Sequence, residues 1–594
     1  MGPCANSHAL RITVQTLWVA AAIFGSAAGA RTQSSATDSC SRPGPGSLVS
    51  EPEDVRSQNG VLTVDLAYRR EHAANGETRY CYIAADGAQA PTLRARPGDL
   101  VVIKLKNELD APIHPINMAM QAAGSSGQQE CAGKAMTPLS TNLHFHGLTI
   151  APTCNSDDVL RTWVQPGDAP FEYRFRIPQY QPPGLYWYHP HVHGFTKAQV
   201  LGGASGALIV EGIESANKAL AGLPERVVII RDQDLLHPDA QPVSNGEAVP
   251  PVVLDRDGDI LNTGTGTGKP AKDLSVNFVP VPYPDYPPAV IETRPGEKQL
   301  WRVLNASAIT YLNLQVLYSD VPQMLGVVAL DGEPIVEGRD NGEGILWQNH
   351  LGLAPGARIE FILTTPAAGV SAKLITRGVN TGPAGENDPT RALASVVTSK
   401  DAPELSSKLP SDPAALPRPN LPWLGSVAPV RTRRLYFTEV AQDPKDPNSP
   451  TVFMLTVEGQ TPKPFDMNAT EPNIVVHQGD VEDWIIENRT QEVHAFHIHQ
   501  LHFLLLDWFG VKADESFLRD IINVPFWDGK NPHYPSVRLR MDFRDPEIVG
   551  TFVYHCHLLE HEDGGMMGTI RVEAAAKAAA SGRSTSTGTT PRSR

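Results

Sequence analysis

A turn–strand–turn unit that occurs three times constrains the fold of this chain more than any other feature. The copies cover residues 96–107, 294–305 and 477–488. In each copy a glycine and an acidic residue precede a strand-like apolar run, and an asparagine stands nine residues after the glycine. Glycine and asparagine favour tight turns, so each copy predicts one β-strand between two turns. Because the copies lie roughly 190 residues apart, they indicate repeated domains rather than a solenoid.

Composition agrees with an all-β chain of several domains. The 594 residues are enough for several domains, and the 52 prolines and 49 glycines favour turns over long helices. We predict three consecutive β-sandwich domains at residues 52–215, 222–398 and 424–573, with a linker rich in proline and serine at residues 399–423. Residues 574–594 are small, polar and basic, and we expect them to be disordered. The formal net charge of −15 argues against nucleic acid as a partner.

The N-terminus has the pattern of a signal peptide. Arg11 precedes an apolar run at residues 17–24, and small residues at 28–30 provide a cleavage site. We therefore assign residues 1–30 to the signal peptide and expect the mature chain to begin near Arg31. The apolar run is too short for a membrane span, and no later segment has the pattern of one. The predicted protein is secreted or periplasmic, without a membrane span, and a monomer.

Four His-X-His pairs mark the positions where the chain can bind metal. The pairs are His144/His146, His189/His191, His497/His499 and His555/His557, and all lie in strand-like sequence. Residues two apart on a β-strand share a face, so each pair directs both imidazoles to one side. A single pair of this kind is more often two surface or packed histidines. Four pairs in one chain, one of them split by Cys556, predict metal binding.

Cys556 indicates that the metal is copper. One cysteine, two histidines and a weak axial methionine form a blue-copper electron-transfer site. On a strand Cys556 faces away from its flanking histidines, and His494 faces away from His497 because their offset is odd. His494, His561 and Met566 can therefore complete a site with Cys556, which leaves the paired histidines for a second metal site. Zinc takes the same ligand types, but a zinc site would need neither so many paired histidines nor the methionine.

Residues 143–147, 187–191, 494–499 and 555–567 resemble the four copper motifs of multicopper oxidases, the laccase-like family. The last segment is most similar to the bacterial members. The motifs are highly specific, and together they spread over most of the mature chain. The resemblance implies that the three sandwich domains are cupredoxin-like, with Greek-key topology, and that the chain binds four copper ions.

The resemblance also assigns each predicted ligand to one kind of copper. It implies a type 1 copper bound by His494, Cys556 and His561, with Met566 as the axial ligand. It implies a type 2 copper bound by His144 and His497, and a type 3 pair bound by the remaining paired histidines: His146, His189, His191, His499, His555 and His557. Met567 is the adjacent alternative to Met566, but it lies one residue too far from Cys556 for the family's pattern.

The order of the motifs predicts where the sites lie. The first two motifs fall in the first predicted domain and the last two in the third, so the type 2 and type 3 coppers must lie between these domains. The middle predicted domain carries no ligand set, and we expect it to serve as a spacer and as a wall of the substrate site.

The implied chemistry couples one-electron oxidation of a substrate to reduction of dioxygen to two waters. Electrons would pass from the type 1 copper through Cys556 to its flanking histidines. Reduction of dioxygen consumes protons, so carboxyl groups near the cluster should matter. Glu562 is the first candidate for proton relay, because bacterial relatives use an acid at this place. Asp157 is the second candidate and Asp158 a close rival; the alternative for each is a surface or turn carboxylate.

Cysteine usage fits an exported protein. Cys4 falls in the signal peptide and Cys556 is a predicted ligand, which leaves four cysteines: Cys40, Cys81, Cys131 and Cys154. Four cysteines allow three pairings, and some could remain free thiols. We favour Cys131–Cys154, which would brace the loops on either side of His144, and therefore Cys40–Cys81.

The reducing substrate stays open among three hypotheses. The first is a laccase-like oxidase of phenols or aromatic amines. The second is an oxidase of cuprous or other metal ions in copper tolerance, although the ten methionines form no methionine-rich insert. The third is an exported copper-binding protein without significant turnover, which would not require a complete type 3 ligand set.

Overall fold

The computed structural model describes residues 40–110, 131, 136–241, 251–256, 258–336, 344–403, 405, 408–411, 421–446 and 449–575. The predicted signal peptide lies outside these ranges, as do residues 576–594 of the predicted tail and several residues of the predicted linker. In the described part of the chain β-strands dominate, and the α-helices are short: α1 (Thr196–Leu201), α2 (Ile213–Ala216) and α3 (Leu559–Asp563). No helix among the described residues is long and apolar enough to span a membrane.

Two sheets within residues 54–210 form the first sheet pair. Its strands are β1 (Asp54–Arg56), β2 (Val61–His72), β3 (Thr78–Ala84), β4 (Thr92–Ala95), β5 (Leu100–Asn107), β6 (His144–His146), β7 (Phe171–Arg176), β8 (Gly184–His189) and β9 (Gly206–Val210). One sheet has the order β3-β2-β5-β7 and the other the order β1-β4-β9-β8-β6. Side chains of both sheets, such as Leu66, Ile103 and Leu208, share one apolar core. The two sheets therefore form a sandwich.

Residues 225–398 form the middle sheet pair in the same way. Its strands are β10 (Glu225–Gln233), β11 (Asp273–Val276), β12 (Val279–Val281), β13 (Ala289–Thr293), β14 (Lys298–Asn305), β15 (Leu312–Tyr318), β16 (Val321–Pro322), β17 (Leu325–Leu330), β18 (Glu333–Pro334), β19 (Leu346–Gln348), β20 (Leu351–Leu353), β21 (Arg358–Thr364), β22 (Ala372–Thr376) and β23 (Arg391–Thr398). One sheet has the order β12-β11-β10-β14-β21-β17-β18, with β19 on β17. The other has the order β13-β23-β22-β15-β16, with β20 on β15.

Residues 431–573 form the last sheet pair, which carries half of the predicted copper motifs. Its strands are β24 (Arg431–Ala441), β25 (Thr451–Val457), β26 (Ile474–His477), β27 (Val481–Asn488), β28 (His494–Ile498), β29 (Phe503–Trp508), β30 (Val511–Lys512), β31 (Ile521–Val524), β32 (Ser536–Asp542), β33 (Gly550–Cys556) and β34 (Met567–Glu573). The sheets have the orders β25-β24-β27-β32-β29-β30 and β26-β34-β33-β28-β31. Cys556 and Met566 belong to the apolar core between them.

The repeated sequence unit occupies the same place in each sheet pair. Its strand is β5, β14 or β27, and each of these pairs in parallel with one neighbour and antiparallel with the other. The asparagine that ends each unit, Asn107, Asn305 or Asn488, donates its side-chain amide to backbone carbonyls of the following loops. The repeat therefore reflects one loop-anchoring role used three times. The predicted all-β fold is confirmed, and the domain boundaries stay a prediction.

Strand β8 explains how the first and middle sheet pairs adhere. All six of its residues are buried. Tyr186 and Tyr188 point into the first core, whereas Leu185 and Trp187 pack with Val227 and neighbouring apolar residues of the middle pair. A strand with both faces covered reads as a continuous apolar run rather than an alternating one. This packing fills the interface between the first and middle sheet pairs next to His189, the last residue of β8.

Disulfides and one helix contact complete the scaffold near the predicted sites. Cys40 bonds to Cys81 and Cys131 bonds to Cys154, which confirms the favoured pairing. The Asp563 carboxylate, at the end of α3, accepts the backbone N–H groups of Thr196 and Lys197 at 3.0 and 2.8 Å. The first turn of α1 is thus held by a residue of the Cys556 motif, residues 555–567.

Candidate copper centres

The predicted type 1 residues converge inside the last sheet pair. In the antiparallel pairing of β28 with β33, Cys556 lies opposite Phe496, so His494, two residues earlier, shares its face. The Cys556 Sγ atom lies 3.5 Å from His494 Nδ1 and 3.8 Å from His561 Nδ1, and the two nitrogens are 3.2 Å apart. All three side chains are buried. One sulfur and two nitrogen donors that face a common point are a ligand set suited to copper.

Met566, rather than Met567, lies on the Cys556 side of the sheet. Its side chain packs in the core that contains Cys556, and its backbone carbonyl accepts the Cys556 N–H at 3.0 Å. Met567 instead packs with Val159 and Val553 on the opposite face. The backbone geometry therefore favours the predicted Met566 over its neighbour.

Eight histidines from two sheet pairs form a second buried group, which we call the histidine cluster. Its members are His144, His146, His189, His191, His497, His499, His555 and His557. The rings of His144 and His499 stack with centroids 3.7 Å apart, and those of His146 and His497 with centroids 3.9 Å apart. His555 Nε2 lies 3.2 Å from His499 Nε2. The first and last sheet pairs thus meet through their predicted ligands.

Hydrogen bonds determine which imidazole nitrogens face the centre of this cluster. His497 Nδ1 donates to the Asp520 carbonyl at 2.7 Å and His189 Nδ1 to the Pro190 carbonyl at 2.9 Å, and His144 Nδ1 lies 3.0 Å from both Asp157 oxygens. The opposite Nε2 atoms of these three histidines are buried and have no hydrogen-bond partner among the described residues. Buried polar nitrogens are rarely left unpaired, so their arrangement fits metal ions at the centre.

Burial also holds the cluster in the chemical form that binds metal. It lowers the pKa of His189 to about 3 and that of His555 to about 4, with neighbouring histidines adding to the effect. The imidazoles are therefore neutral near pH 7 and offer lone pairs. Burial raises the pKa of the Cys556 thiol, so a bound metal ion would have to provide the charge that stabilises the thiolate.

The three candidate carboxylates occupy different places. Glu562 is fully buried, with one oxygen 3.5 Å from His193 Nδ1 and 3.9 Å from His191 Nδ1. Burial alone would raise its pKa, but His191 and His193 outweigh that and lower it to about 2. Asp157 contacts His144, and burial raises its pKa to about 7. Asp158 instead pairs with Arg161 at 2.8 Å.

Several residues at the two sites were not found from the sequence. Asp520 approaches His146, with its carboxylate 3.4 Å from Nε2. Trp187 stacks on His189 with centroids 4.1 Å apart, and its position two residues before that histidine was a signal that could have found it. Gly356 belongs to a loop of the middle sheet pair that lies against His557. Asp520 and Gly356 have no metal-motif spacing that could have revealed them.

A pocket of about 380 Å³ reaches His561 from the surface. Glu386, Glu439, Glu492 and Glu560 line it, together with residues of both the middle and last sheet pairs. Glu439 lies 3.0 Å from His494 Nε2 and Glu492 lies 3.4 Å from His561 Nε2. Four carboxyl groups therefore lie together near His561, and burial raises the pKa of Glu386 and Glu492 well above the ordinary value for glutamate.

These features define a class of protein: a β-sandwich copper oxidoreductase with one cysteine-containing centre and one histidine cluster. Comparisons with known proteins agree. Two family models described as "Multicopper oxidase" match residues 132–215 and 444–576, which contain all the predicted ligands. These two regions of the chain therefore match the multicopper oxidase family, whose members are copper-dependent oxidoreductases with dioxygen as acceptor.

Similar proteins include bacterial enzymes. A multicopper oxidase of Staphylococcus aureus is 24% identical over 81% of this chain and 81% of its own length. A laccase of Bacillus subtilis is 23% identical over 80% of this chain and 87% of its own length. A solved multicopper oxidase from Campylobacter jejuni, 23% identical, has a TM-score of 0.61 and covers 90% of this chain and 96% of that chain. This likeness shows a shared fold and confirms that the sandwiches are of the cupredoxin kind.

Proposed function

We propose that this protein is an exported oxidase that takes electrons one at a time from a small donor and reduces dioxygen to two waters. The observation that carries the proposal is the joint presence of the buried Cys556 site and the buried histidine cluster. The Cys556 site would hold a type 1 copper with His494, His561 and Met566. Bound copper would supply one-electron redox chemistry at Cys556 and a place for dioxygen at the cluster.

The cluster histidines divide between one type 2 and two type 3 coppers. The family resemblance assigns the type 2 copper to His144 and His497, and the Nε2 atom of each is free to bind it, with no hydrogen-bond partner among the described residues. The other six histidines would hold the type 3 pair: His146, His189, His191, His499, His555 and His557. The chain would then bind four copper ions.

Cys556 connects the two sites through covalent bonds. Its neighbours His555 and His557 belong to the histidine cluster, while its sulfur faces His494 and His561. An electron that enters at the sulfur therefore reaches the cluster along a few residues of one strand. Mutation of Cys556 should interrupt this route without removing a cluster ligand.

Two carboxylates have separate tasks at the cluster. Glu562 lies beside His191 and His193 with its carboxyl group buried, which suits it to pass protons to the reduction site. Asp157 lies against His144 Nδ1 and also accepts the Phe145 N–H at 3.1 Å, which suits it to orient the imidazole. We therefore propose proton relay for Glu562 and, for Asp157, both orientation of His144 and a share in proton relay.

The pocket at His561 is the proposed site of electron entry. His561 is a predicted type 1 ligand, so a donor in the pocket would contact the electron acceptor through its ring. Phenols and aromatic amines lose a proton when they are oxidised, and the lining carboxylates could accept it. This supports a laccase-like activity, and the Bacillus subtilis relative is described as a laccase.

A second candidate donor, a metal ion, is favoured by the chemistry of the same pocket. One oxygen each of Glu386 and Glu492 is buried and has no hydrogen-bond partner among the described residues. Carboxylate oxygens grouped without partners attract cations. The Campylobacter jejuni enzyme of similar fold is described as a metallo-oxidase.

Oxygen uptake by the purified, copper-loaded protein tests these alternatives. A neutral methoxyphenol, an aromatic diamine, a stabilised cuprous salt and a ferrous salt would each be the only donor. Fast uptake with the organic donors supports the laccase-like activity, and fast uptake with the metal salts supports the metal oxidase. No uptake with any donor would refute oxidase function and leave a copper-binding protein.

Glu439→Gln then tests whether the pocket is the entry site. We expect this variant to raise KM for cationic donors several-fold, with Glu471→Gln, an exposed carboxylate outside the pocket, as the matched control. An unchanged KM in Glu439→Gln would place electron entry elsewhere.

Export is part of this proposal. The two disulfides suit an oxidising compartment, since they are rare in proteins of reducing compartments. We therefore propose a secreted or periplasmic enzyme, and detection of the protein in fractions outside the cytoplasm would test it.

A further inference from the structure

The middle sheet pair carries none of the predicted copper ligands, but besides the Gly356 loop it has an arginine that reaches the histidine cluster through Asp520. Arg358 is the first residue of β21 and is fully buried. Its guanidinium forms a two-pronged contact with the Asp520 carboxylate, with N–O distances of 2.7 and 2.5 Å. Such a paired contact fixes both distance and plane, unlike a single ion pair.

Arg358 joins all three sheet pairs. Its Nε donates to the Leu185 carbonyl in the first pair at 3.3 Å, and its Nη2 donates to the Asp331 carbonyl in the middle pair at 2.8 Å. Asp520 belongs to the last pair, immediately before β31. Leu185 lies on β8, the strand that ends in His189. A single buried side chain therefore bonds to each of the three layers that enclose the cluster.

Asp520 transmits this constraint to two cluster histidines. Its backbone carbonyl accepts His497 Nδ1 at 2.7 Å, and its carboxylate lies 3.4 Å from His146 Nε2. The other nitrogens of these rings, His497 Nε2 and His146 Nδ1, are the ones without a partner among the described residues. Asp520 thus holds each ring by the nitrogen that does not face the cluster.

Gly147 leaves space for the ion pair between Arg358 and Asp520. A Cβ atom on Gly147, next to His146, would lie 2.5 Å from Arg358 Nη2 and 2.6 Å from Asp520 Oδ2. Gly147 also has a positive φ of +88°, a conformation that side chains disfavour. Glycine at position 147, next to the predicted ligand His146, therefore leaves space for the Arg358–Asp520 ion pair.

We propose that Arg358 is a positioning residue: through Asp520 it orients His146 and His497, so that copper binding in the histidine cluster depends on the middle sheet pair. This inference rests on the proposed copper assignment. Residues that orient metal ligands typically change metal affinity by about 10–100-fold when mutated. The Cys556 site contains neither histidine, so its copper should be retained, and it serves as an internal reference.

Arg358→Lys tests the proposal because lysine keeps the charge but lacks the planar fork. The holoprotein would be challenged with chelators of graded strength. Total copper per chain, the blue absorption of the Cys556 site and the electron paramagnetic resonance signal of type 2 copper would then be measured. We expect the apparent affinity of the cluster for copper to fall at least about tenfold, while the blue absorption stays unchanged.

Arg302→Lys is the matched control. Arg302 is another fully buried arginine of the same sheet, on the neighbouring strand β14, and it pairs with Glu225 and Glu360 rather than with Asp520. This variant should lower the unfolding midpoint without changing the ratio of cluster copper to blue copper. If Arg358→Lys and Arg302→Lys have the same ratio of cluster copper to blue copper, the proposed positioning role is wrong.

Asp520→Asn provides a second variant if Arg358→Lys does not fold. Asparagine keeps the side-chain shape and the backbone carbonyl that His497 needs, but removes the carboxylate charge. Selective loss of cluster copper supports the proposal, and an unchanged ratio refutes it. A wild-type protein that holds copper only at Cys556 would overturn the proposed function as well, which distinguishes the two failures.

Discussion

Gly356 provides a sharp test of the predicted ligand His557, because a single methyl group would press on its ring. Gly356 precedes β21 and has a φ of +88°. An added Cβ would lie 2.8 Å from His557 Cε1 and Nε2 and 3.0 Å from Nδ1. Ordinary contacts begin at 3.4 Å, so the ring or the loop must move by 3.4 − 2.8 = 0.6 Å. Metal–ligand distances in well-formed sites vary by only about 0.2 Å.

Gly356→Ala should therefore disturb the cluster more than it disturbs the fold. The loop cannot move freely, because the Gly356 N–H donates to the Asn305 carbonyl at 2.8 Å. The left-handed backbone adds about 1–2 kcal/mol of strain for alanine. We expect cluster copper affinity to fall at least about tenfold, since a displaced ligand cannot meet the distance that copper requires. Copper titration with blue absorption as the internal reference measures this loss.

Gly459→Ala separates backbone strain from the contact with His557. Its φ of +89° matches that of Gly356, but an added Cβ would have no described atom within 4 Å. This variant should lose stability by the backbone term alone, about 1–2 kcal/mol, and keep its cluster copper. If Gly356→Ala loads the cluster as well as Gly459→Ala does, His557 is not a ligand held by this loop and the reasoning is wrong.

Three further predictions follow from the same structure. Cys556→Ser should abolish the blue absorption and all donor oxidation, and a blue, active variant would contradict the type 1 assignment. Glu562→Gln should slow oxygen uptake but leave anaerobic bleaching of the blue site by donor unchanged, if the carboxylate relays protons; equal slowing of both steps would argue against that role. Burial would raise the pKa of Glu225, but Arg302 and Arg94 outweigh it and lower the pKa from 4.5 to about 2. The resulting stability, of order 3 kcal/mol, is present above pH 4.5 and lost as the pH falls towards 2. Glu225→Gln should weaken the pH dependence of the thermal unfolding midpoint between these values, and an unchanged pH dependence would contradict this account.

The strands and the paired histidines could be predicted because their signals are local. A turn with glycine and an acidic residue, followed by asparagine nine residues after the glycine, predicts a strand because both of its ends are marked by residues close in sequence. Likewise, two histidines separated by one residue share a face wherever the strand lies. The offset between His494 and His497 was sufficient to place His494 on the Cys556 side.

The groups that support the ligands could not be predicted in this way. Arg358 and Asp520 are 162 residues apart, and Asp520 lies 374 residues from His146. Neither has a spacing that relates it to a metal motif, and an Arg or Asp at a strand end is more often a surface residue. Their proximity results from the packing of three sheet pairs, which a local pattern does not encode.

The two sites therefore depend on the fold in different ways. His494, Cys556, His561 and Met566 all belong to the last sheet pair and share its core, so folding of that pair alone can bring them together. The histidine cluster takes four members from the first pair and four from the last, and Arg358 of the middle pair bonds to both. Cluster geometry is thus a property of how the three pairs pack. The middle pair contributes residues to the pocket proposed for the donor, and its contacts with Asp520 and His557 reach the site proposed to reduce dioxygen. Its predicted role as a spacer and substrate wall stays a prediction, and these contacts give it a further role beside that one.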